Sequence, residues 1–264
     1  MACLCFPGAC PQCVTLPAYH FPFPAACGII SYMVNMSTRP SNLDDLCCAL
    51  SRPLPGLDAQ LRMAPDYRAK TLRERVIPAN YKQAGVLILL YPRDGQLYFP
   101  LTRRTEKVKN HKGQISLPGG AREGRESLQQ TALRETYEEL GVPPDHLDVL
   151  GQLTPLYVPP SRFLISPFVA YSATCPRFDP DPVEVAALIE TPLALLLDPQ
   201  TEVWEEWEIG GKPVQVPFFQ VLHQDNKVWG ATAMVLSELV MALNNHRRPK
   251  CSEMSNTATD EPNR

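Results

Sequence analysis

Glu135, Glu138 and Glu139 stand at i, i+3 and i+4 in the stretch GAREGRESLQQTALRETYEELGV, residues 120–142. At about 100° per residue this spacing gathers three carboxylates on one narrow face of a helix. Like charges so close repel one another, a small cost on a wet surface and an advantage around a bound cation. Two neighbours favour the cation. Arg134, four residues before Glu138, can hold one carboxylate in place, and Gly120, after Ser116-Leu117-Pro118-Gly119, can bend the backbone so that a carbonyl oxygen faces the cluster. Carboxylates and a carbonyl form an all-oxygen site suited to Mg²⁺ or Mn²⁺. No His or Cys stands at zinc spacing in this stretch. A hard divalent ion held there would neutralise anionic oxygens and acidify and aim a water molecule.

The element that must present these groups is itself legible. Ser127 with Gln130 is a capping-box start, and Gly141 before Pro143 and Pro144 is a stop. Leu133, Thr136, Tyr137 and Leu140 fall opposite the glutamates, giving a face that can pack on a sheet. Before this helix, the apolar run AGVLILLY (84–91) reads as a fully buried strand that turns at Pro92-Arg93-Asp94-Gly95 into LYFPLTRR. After it, LDVLGQL and SRFLISPFVAY read as strands, Leu193 to Leu197 as a short helix, and TEVWEEWEI and KPVQVPFFQVL as strands about Gly210-Gly211. ATAMVLSELVMALNN closes the domain as a helix. Trp204, Trp207 and Trp229 are expected in core or edge packing. Strands interleaved with two substantial helices predict an α/β fold, a mixed sheet covered on both sides.

Gly120, Glu126, Arg134, Glu135, Glu138, Glu139, Gly141 and Val142 stand at the spacing G-x5-E-x7-R-E-U-x-E-E-x-G-U, with U aliphatic and Thr136 at its first U. This pattern resembles the signature of the Nudix hydrolases, which cleave a diphosphate linked to another moiety. Its seven fixed identities would coincide by chance on the order of 10⁻⁸ times per starting position, so the resemblance is specific. It implies a Nudix-like α/β/α sandwich and hydrolysis of a diphosphate, whose negative oxygens repel a nucleophilic water until a metal ion neutralises them. A further carboxylate must accept the water's proton. Glu138 is one candidate and Glu184, in the acidic turn DPDPVEV, is another.

Upstream, LTRRTEKVKNHKGQISLPGG (101–120) resembles the additional signature of the coenzyme A pyrophosphatase branch, roughly L-L-T-x-R-[SA]-x3-R-x3-G-x-[VI]-[SA]-F-P-G-G. Leu101, Thr102, Arg104, Gly113, Ile115, Ser116, Pro118, Gly119 and Gly120 match it. Pro100, Thr105, Lys109 and Leu117 depart, Lys109 keeping the positive charge. SPFVAY (166–171), EVAALIETPL (184–193) and VWGATAMVL (228–236) extend the resemblance over most of residues 78–245, weakest at Ala187. It implies hydrolysis of coenzyme A or acyl-CoA to 3′,5′-ADP and (acyl-)4′-phosphopantetheine. Arg104, Lys109 and Lys112 are then the substrate-binding cations, because coenzyme A carries a 3′-phosphate besides its diphosphate. Other nucleoside diphosphate-linked substrates (nucleoside triphosphates, nucleotide sugars, dinucleotides) are the alternative. A binding module that has lost catalysis would be expected to lack one of the glutamates, and all three are present.

Composition bounds the rest. A chain of 264 residues with 44% hydrophobic content suits one domain with additions. Its net charge of −3 argues against nucleic acid as partner, leaving a small-molecule substrate. The first 38 residues contain no Lys, Arg, Asp or Glu, yet hold five prolines and five of the nine cysteines. No secretory or mitochondrial signal is legible in them, and residues 25–38 are too short to span a bilayer. Cys10 and Cys13 lack a second pair at finger spacing. Residues 1–35 are therefore read as a disordered leader, or as sequence upstream of a start at Met33 or Met36. Residues 36–77 are expected as a helical extension, 78–245 as the catalytic domain and 246–264 as a disordered tail. The expected setting is intracellular, in the cytoplasm, without a membrane partner. Oligomeric state is not written in the sequence.

Overall fold

A computed structural model describes residues 41–73, 77–105 and 113–247. The expected leader and nearly all of the expected tail lie outside the described residues. Three helices come first: α1 (Ser41–Leu50), α2 (Gly56–Leu61) and α3 (Asp66–Arg73). Leu43, Leu46 and Ala49 are buried along one side of α1. There follow β1 (Lys82–Arg93), β2 (Gln96–Arg104), β3 (Ile115–Ser116), β4 (Gly119–Ala121) and α4 (Leu128–Leu140). Then come β5 (Asp148–Gln152), β6 (Leu156–Val158), β7 (Phe163–Tyr171), β8 (Val185–Pro192) and α5 (Leu193–Leu197). The chain continues through β9 (Glu202–Ile209), β10 (Lys212–Gln220), β11 (Lys227–Trp229) and α6 (Gly230–Arg247).

β1 is the axis of the main sheet. It pairs in parallel with β7, from Lys82 opposite Phe163 to Leu90 opposite Tyr171. Its first part also pairs antiparallel with β4, and its last residues with β2. β3 and β8 extend the sheet from β2, while β5 and β6 pair with β7. Successive side chains alternate across a strand, so a continuous apolar run needs cover on both faces. Leu87, Leu89 and Tyr91 accordingly pack with Ala132 and Leu140 of α4, while Ile88 and Leu90 join Leu236 and Leu239 of α6 in the larger core. The result is the mixed sheet between helical layers that the sequence predicts. Asp94 and Gly95, both left-handed (φ 49° and 74°), make the tight turn into β2.

β9, β10 and β11 form a second, three-stranded antiparallel sheet. Trp207 stacks on Phe218 and meets Trp229 edge-on, the packing role expected of both tryptophans. Trp204 is instead half exposed. Among the described residues no helix is long and apolar enough to cross a membrane.

The N-terminal helices are fixed to α6 by a buried polar knot. Glu238 is fully buried. Its carboxylate accepts hydrogen bonds from the Gln60 side chain at 2.9 Å and from the Thr154 backbone N–H at 3.2 Å. The Gln60 amide also donates to Thr154 O at 2.8 Å, and Ser237 Oγ donates to Ala59 O at 2.8 Å. Glu238→Leu removes the acceptor of the Thr154 N–H and of one Gln60 amide hydrogen, so we expect a stability loss of about 3 kcal/mol. Denaturant unfolding of this variant checks the point, and a midpoint equal to wild type would show the knot to be neutral.

Candidate active site

Helix α4 forms as its sequence dictates. Ser127 Oγ accepts from the Gln130 N–H at 3.2 Å and the Gln130 side chain accepts from the Ser127 N–H at 2.8 Å, a complete capping box. Gly141 ends the helix in the left-handed conformation (φ 71°). Its docking is unusually close. A Cβ on Gly85 of β1 would lie 2.8 Å from the Ala132 N and 3.1 Å from the Thr131 Cβ, so the helix rests almost backbone to backbone on the strand. Small residues therefore meet the sheet. Thr131, Ala132, Thr136, Glu139 and Leu140 are the buried positions, whereas Tyr137, expected on the packing face, is 53% exposed. The buried face is rotated from the expected one because Gly85 admits the helix backbone where bulkier side chains would hold it off.

That rotation carries Glu139 inward. Gly120 pairs with Gly85 across β4 and β1, and a Cβ there would sit 2.5 Å from Oε1 of Glu135. Glu135 and Glu139 are thus pressed against the Gly119-Gly120 backbone, while the Glu138 carboxylate stays largely exposed. The Glu139 carboxylate receives the Gly119 N–H, has Arg104 Nη1 at 3.6 Å, and leaves Oε2 buried with no hydrogen-bond partner. Burial pushes its carboxyl up to about 8, with Glu135 and Glu184 adding to the rise and Arg104 and Gly119 opposing it. Burial also raises Glu135, against the pull of Arg134.

Arg134 does more than its i,i+4 spacing suggests. Its guanidinium reaches Glu138 at 2.8 Å, Glu135 at 3.0 Å, both oxygens of Glu126 at 2.9 and 3.1 Å, and Ala121 O at 3.1 Å. Hydrogen bonding from Arg134 holds the Glu126 carboxyl down to about 2, despite some burial. Glu126 also accepts from the Glu123 N–H and Thr131 Oγ1, so it ties the loop before α4 to the helix. In the sequence pattern Glu126 holds a place without a role. Its pairing with Arg134 crosses the helix start, where helical periodicity carries no information.

Arg104 and Glu184 arrive from other elements. The β2–β8 register shifts between Arg103 and Arg104, and the two side chains diverge. Arg103 donates to Asn226 at 2.6 Å, whereas Arg104 turns to Glu139 and, at 3.7 Å, to Glu184. The loop before β8 is held to the end of α4, Asp179 N–H donating to Leu140 O and Asp181 N–H to Glu139 O. Lys109 and Lys112 lie outside the described residues. The structure therefore brings Gly120, Arg134, Glu135, Glu138, Glu139, Arg104 and Glu184 to one neighbourhood. Beside them opens a cavity of about 650 Å³ whose walls include Arg104, Gly119, Gly120, Ile115, Phe163 and Trp229.

A NUDIX domain model matches residues 81–194. Over 167 residues, the chain is 36% identical to an uncharacterized Nudix hydrolase NudL of Pectobacterium atrosepticum, covering 61% of this chain and 83% of that protein. The chain belongs to the Nudix hydrolase family. It is also 34% identical to the NudL of Yersinia enterocolitica over 167 residues, 63% of this chain and 84% of that one. Nudix hydrolase 15, mitochondrial, of Arabidopsis thaliana is 34% identical over 161 residues, 59% of this chain, which spans only 56% of that relative.

Nudix hydrolases in general need divalent metal ions, and one observation tests whether this member's residues fit such an ion. Among the described residues no three His, Cys, Asp or Glu side chains converge in a ready metal cage. The Glu139 oxygen that is buried, unpartnered and costly to ionise nevertheless has the chemistry of a cation's ligand: a bound ion would remove its desolvation penalty. Glu135 and the Gly120 backbone lie beside it and could complete the site, with Glu138 reaching in if it leaves Arg134.

The raised Glu139 carboxyl sets a pH dependence. Below the ordinary value of 4.5 both folded and unfolded chains are protonated there, and the residue is neutral to stability. Between that value and about 8 the unfolded chain ionises while the folded one resists, so stability falls as pH rises. In chelator-treated protein, Glu139→Gln should be more stable than wild type at about pH 9 and no more stable at about pH 4. Denaturation midpoints at the two pH values check this; parallel shifts at both would contradict it.

Proposed function

We propose that this Nudix hydrolase cleaves the diphosphate of coenzyme A or acyl-CoA, releasing 3′,5′-ADP and (acyl-)4′-phosphopantetheine, with Mg²⁺ or Mn²⁺ as cofactor. The observation that carries the reading is Arg104. It is the cation of the coenzyme A pyrophosphatase-like motif, and it stands at the junction of the Glu139–Glu184 carboxylates and the cavity. A guanidinium there can bind a phosphate oxygen of the substrate and leave the carboxylates free to meet a metal ion.

Glu135, Glu138, Glu139 and the Gly120 backbone would hold Mg²⁺ or Mn²⁺. The bound ion would supply charge neutralisation at the diphosphate and acidification of the attacking water. Arg134 keeps the carboxylates in register during turnover, its charge offsetting their mutual repulsion. The water's proton passes to a carboxylate oxygen of Glu184 or of Glu138. Glu184 is 46% and Glu138 56% exposed in side-chain area, so both can exchange that proton with solvent. Arg104 orients the scissile phosphates from its place beside Glu184.

Purified protein with Mg²⁺ or Mn²⁺ should convert coenzyme A to 3′,5′-ADP, resolved by chromatography. Release of nucleoside monophosphates from other nucleotides, with coenzyme A untouched, would move the substrate elsewhere in the family. Glu139→Gln should lower kcat on the order of 10²-fold while the fold survives. Arg104→Ala should raise KM about tenfold, with a smaller effect on kcat. An unchanged KM would remove Arg104 from substrate binding.

A further inference from the structure

The cavity beside the glutamates is walled by more than the domain that the family model matches. Arg68, on α3, lines it and lies outside residues 81–194. Its Nη1 would be 3.9 Å from a Cβ placed on Gly230, which lines the same cavity next to Trp229. Among the described residues the Arg68 side chain has no hydrogen-bond or ion-pair partner, whereas Arg104 already faces two carboxylates. Most of the remaining wall is apolar, with Val86, Val158, Phe163, Ile165 and Trp229 contributing. An uncompensated guanidinium beside such a wall can take an anion in a charge-assisted pair. The volume of about 650 Å³ suits a nucleotide, and Phe163 and Trp229 offer aromatic surface to a base.

We propose that Arg68 is a specificity-determining residue: it pairs with the 3′-phosphate of the substrate while the cavity holds the adenosine to which that phosphate is attached. This rests on the coenzyme A reading above and adds to it a recognition element supplied by the N-terminal helices. The diphosphate lies at the Arg104 and Gly119-Gly120 wall, and the second, separate phosphate lies at the α3 wall. A substrate with a ribose phosphate monoester thereby engages two guanidiniums, and one without it engages a single one.

The test compares coenzyme A with 3′-dephospho-coenzyme A, which differ only in that phosphate. Wild type should prefer coenzyme A by about tenfold or more in kcat/KM, the value of one charge-assisted pair. Arg68→Ala should lose that preference by slowing coenzyme A alone, and Arg68→Lys should retain part of it. In parallel, 3′,5′-ADP should inhibit wild type more strongly than 5′-AMP, and the two should inhibit Arg68→Ala equally. If Arg68→Ala slows both substrates alike, or neither, Arg68 does not read the phosphate and the coenzyme A reading stands without it. If wild type hydrolyses both substrates equally, the proposal is overturned whatever the variant's folding. If wild type hydrolyses neither, the substrate reading itself fails and the proposal falls with it.

Discussion

The close approach of helix α4 to strands β1 and β4 is the constraint on which the site depends. Gly85 and Gly120 are paired neighbours on adjacent strands, and each lacks the one atom that would hold the helix off. Through that gap the sheet meets a helix backbone instead of a layer of side chains. Glu139 is carried into the protein as a consequence, and its second oxygen is left without a partner. An ionised carboxylate in that position is unfavourable by itself, and a cation makes it favourable. On the proposed metal-binding role of Glu139, stability and function therefore pull in opposite directions at one side chain.

The charge balance around that side chain is divided between two arginines. Arg134 gathers Glu126, Glu135 and Glu138 and binds the loop before α4 to the helix. Arg104 faces Glu139 and Glu184 from the end of β2, where a register shift separates it from Arg103. The first arginine is structural in its contacts, since it satisfies carboxylates on its own helix and loop. The second stands at the cavity wall, where it can trade a carboxylate for a phosphate. Two residues of the same type thus take different parts because one is enclosed by acids and the other borders open space.

Much of this was legible in the sequence, and the limits have physical causes. The capping box at Ser127, the stop at Gly141, the doubly covered strand GVLILLY and the hairpin at Gly210-Gly211 are local features, and the structure contains each of them. The grouping of Glu135, Glu138 and Glu139 also follows from local spacing, but their different exposures do not. Those depend on β4 docking beside β1, a pairing of only three residues that no periodicity announces. The same docking explains why Tyr137 faces solvent in place of the core. The Arg134–Glu126 clamp and the approach of Arg68 to the cavity join segments far outside any helical or strand repeat.

The dependence of ion binding on the close approach of helix and strand is tested most directly by the affinity for Mn²⁺ in Gly120→Ala, a variant that keeps every carboxylate and fills only the space between β4 and Glu135. Free Mn²⁺ measured by electron paramagnetic resonance, against wild type, gives that affinity. Loss of about tenfold or more, in a variant whose circular dichroism is native, is the predicted result. Wild-type affinity would mean that the ion does not depend on the close approach of helix and strand, and the site would have to be sought elsewhere.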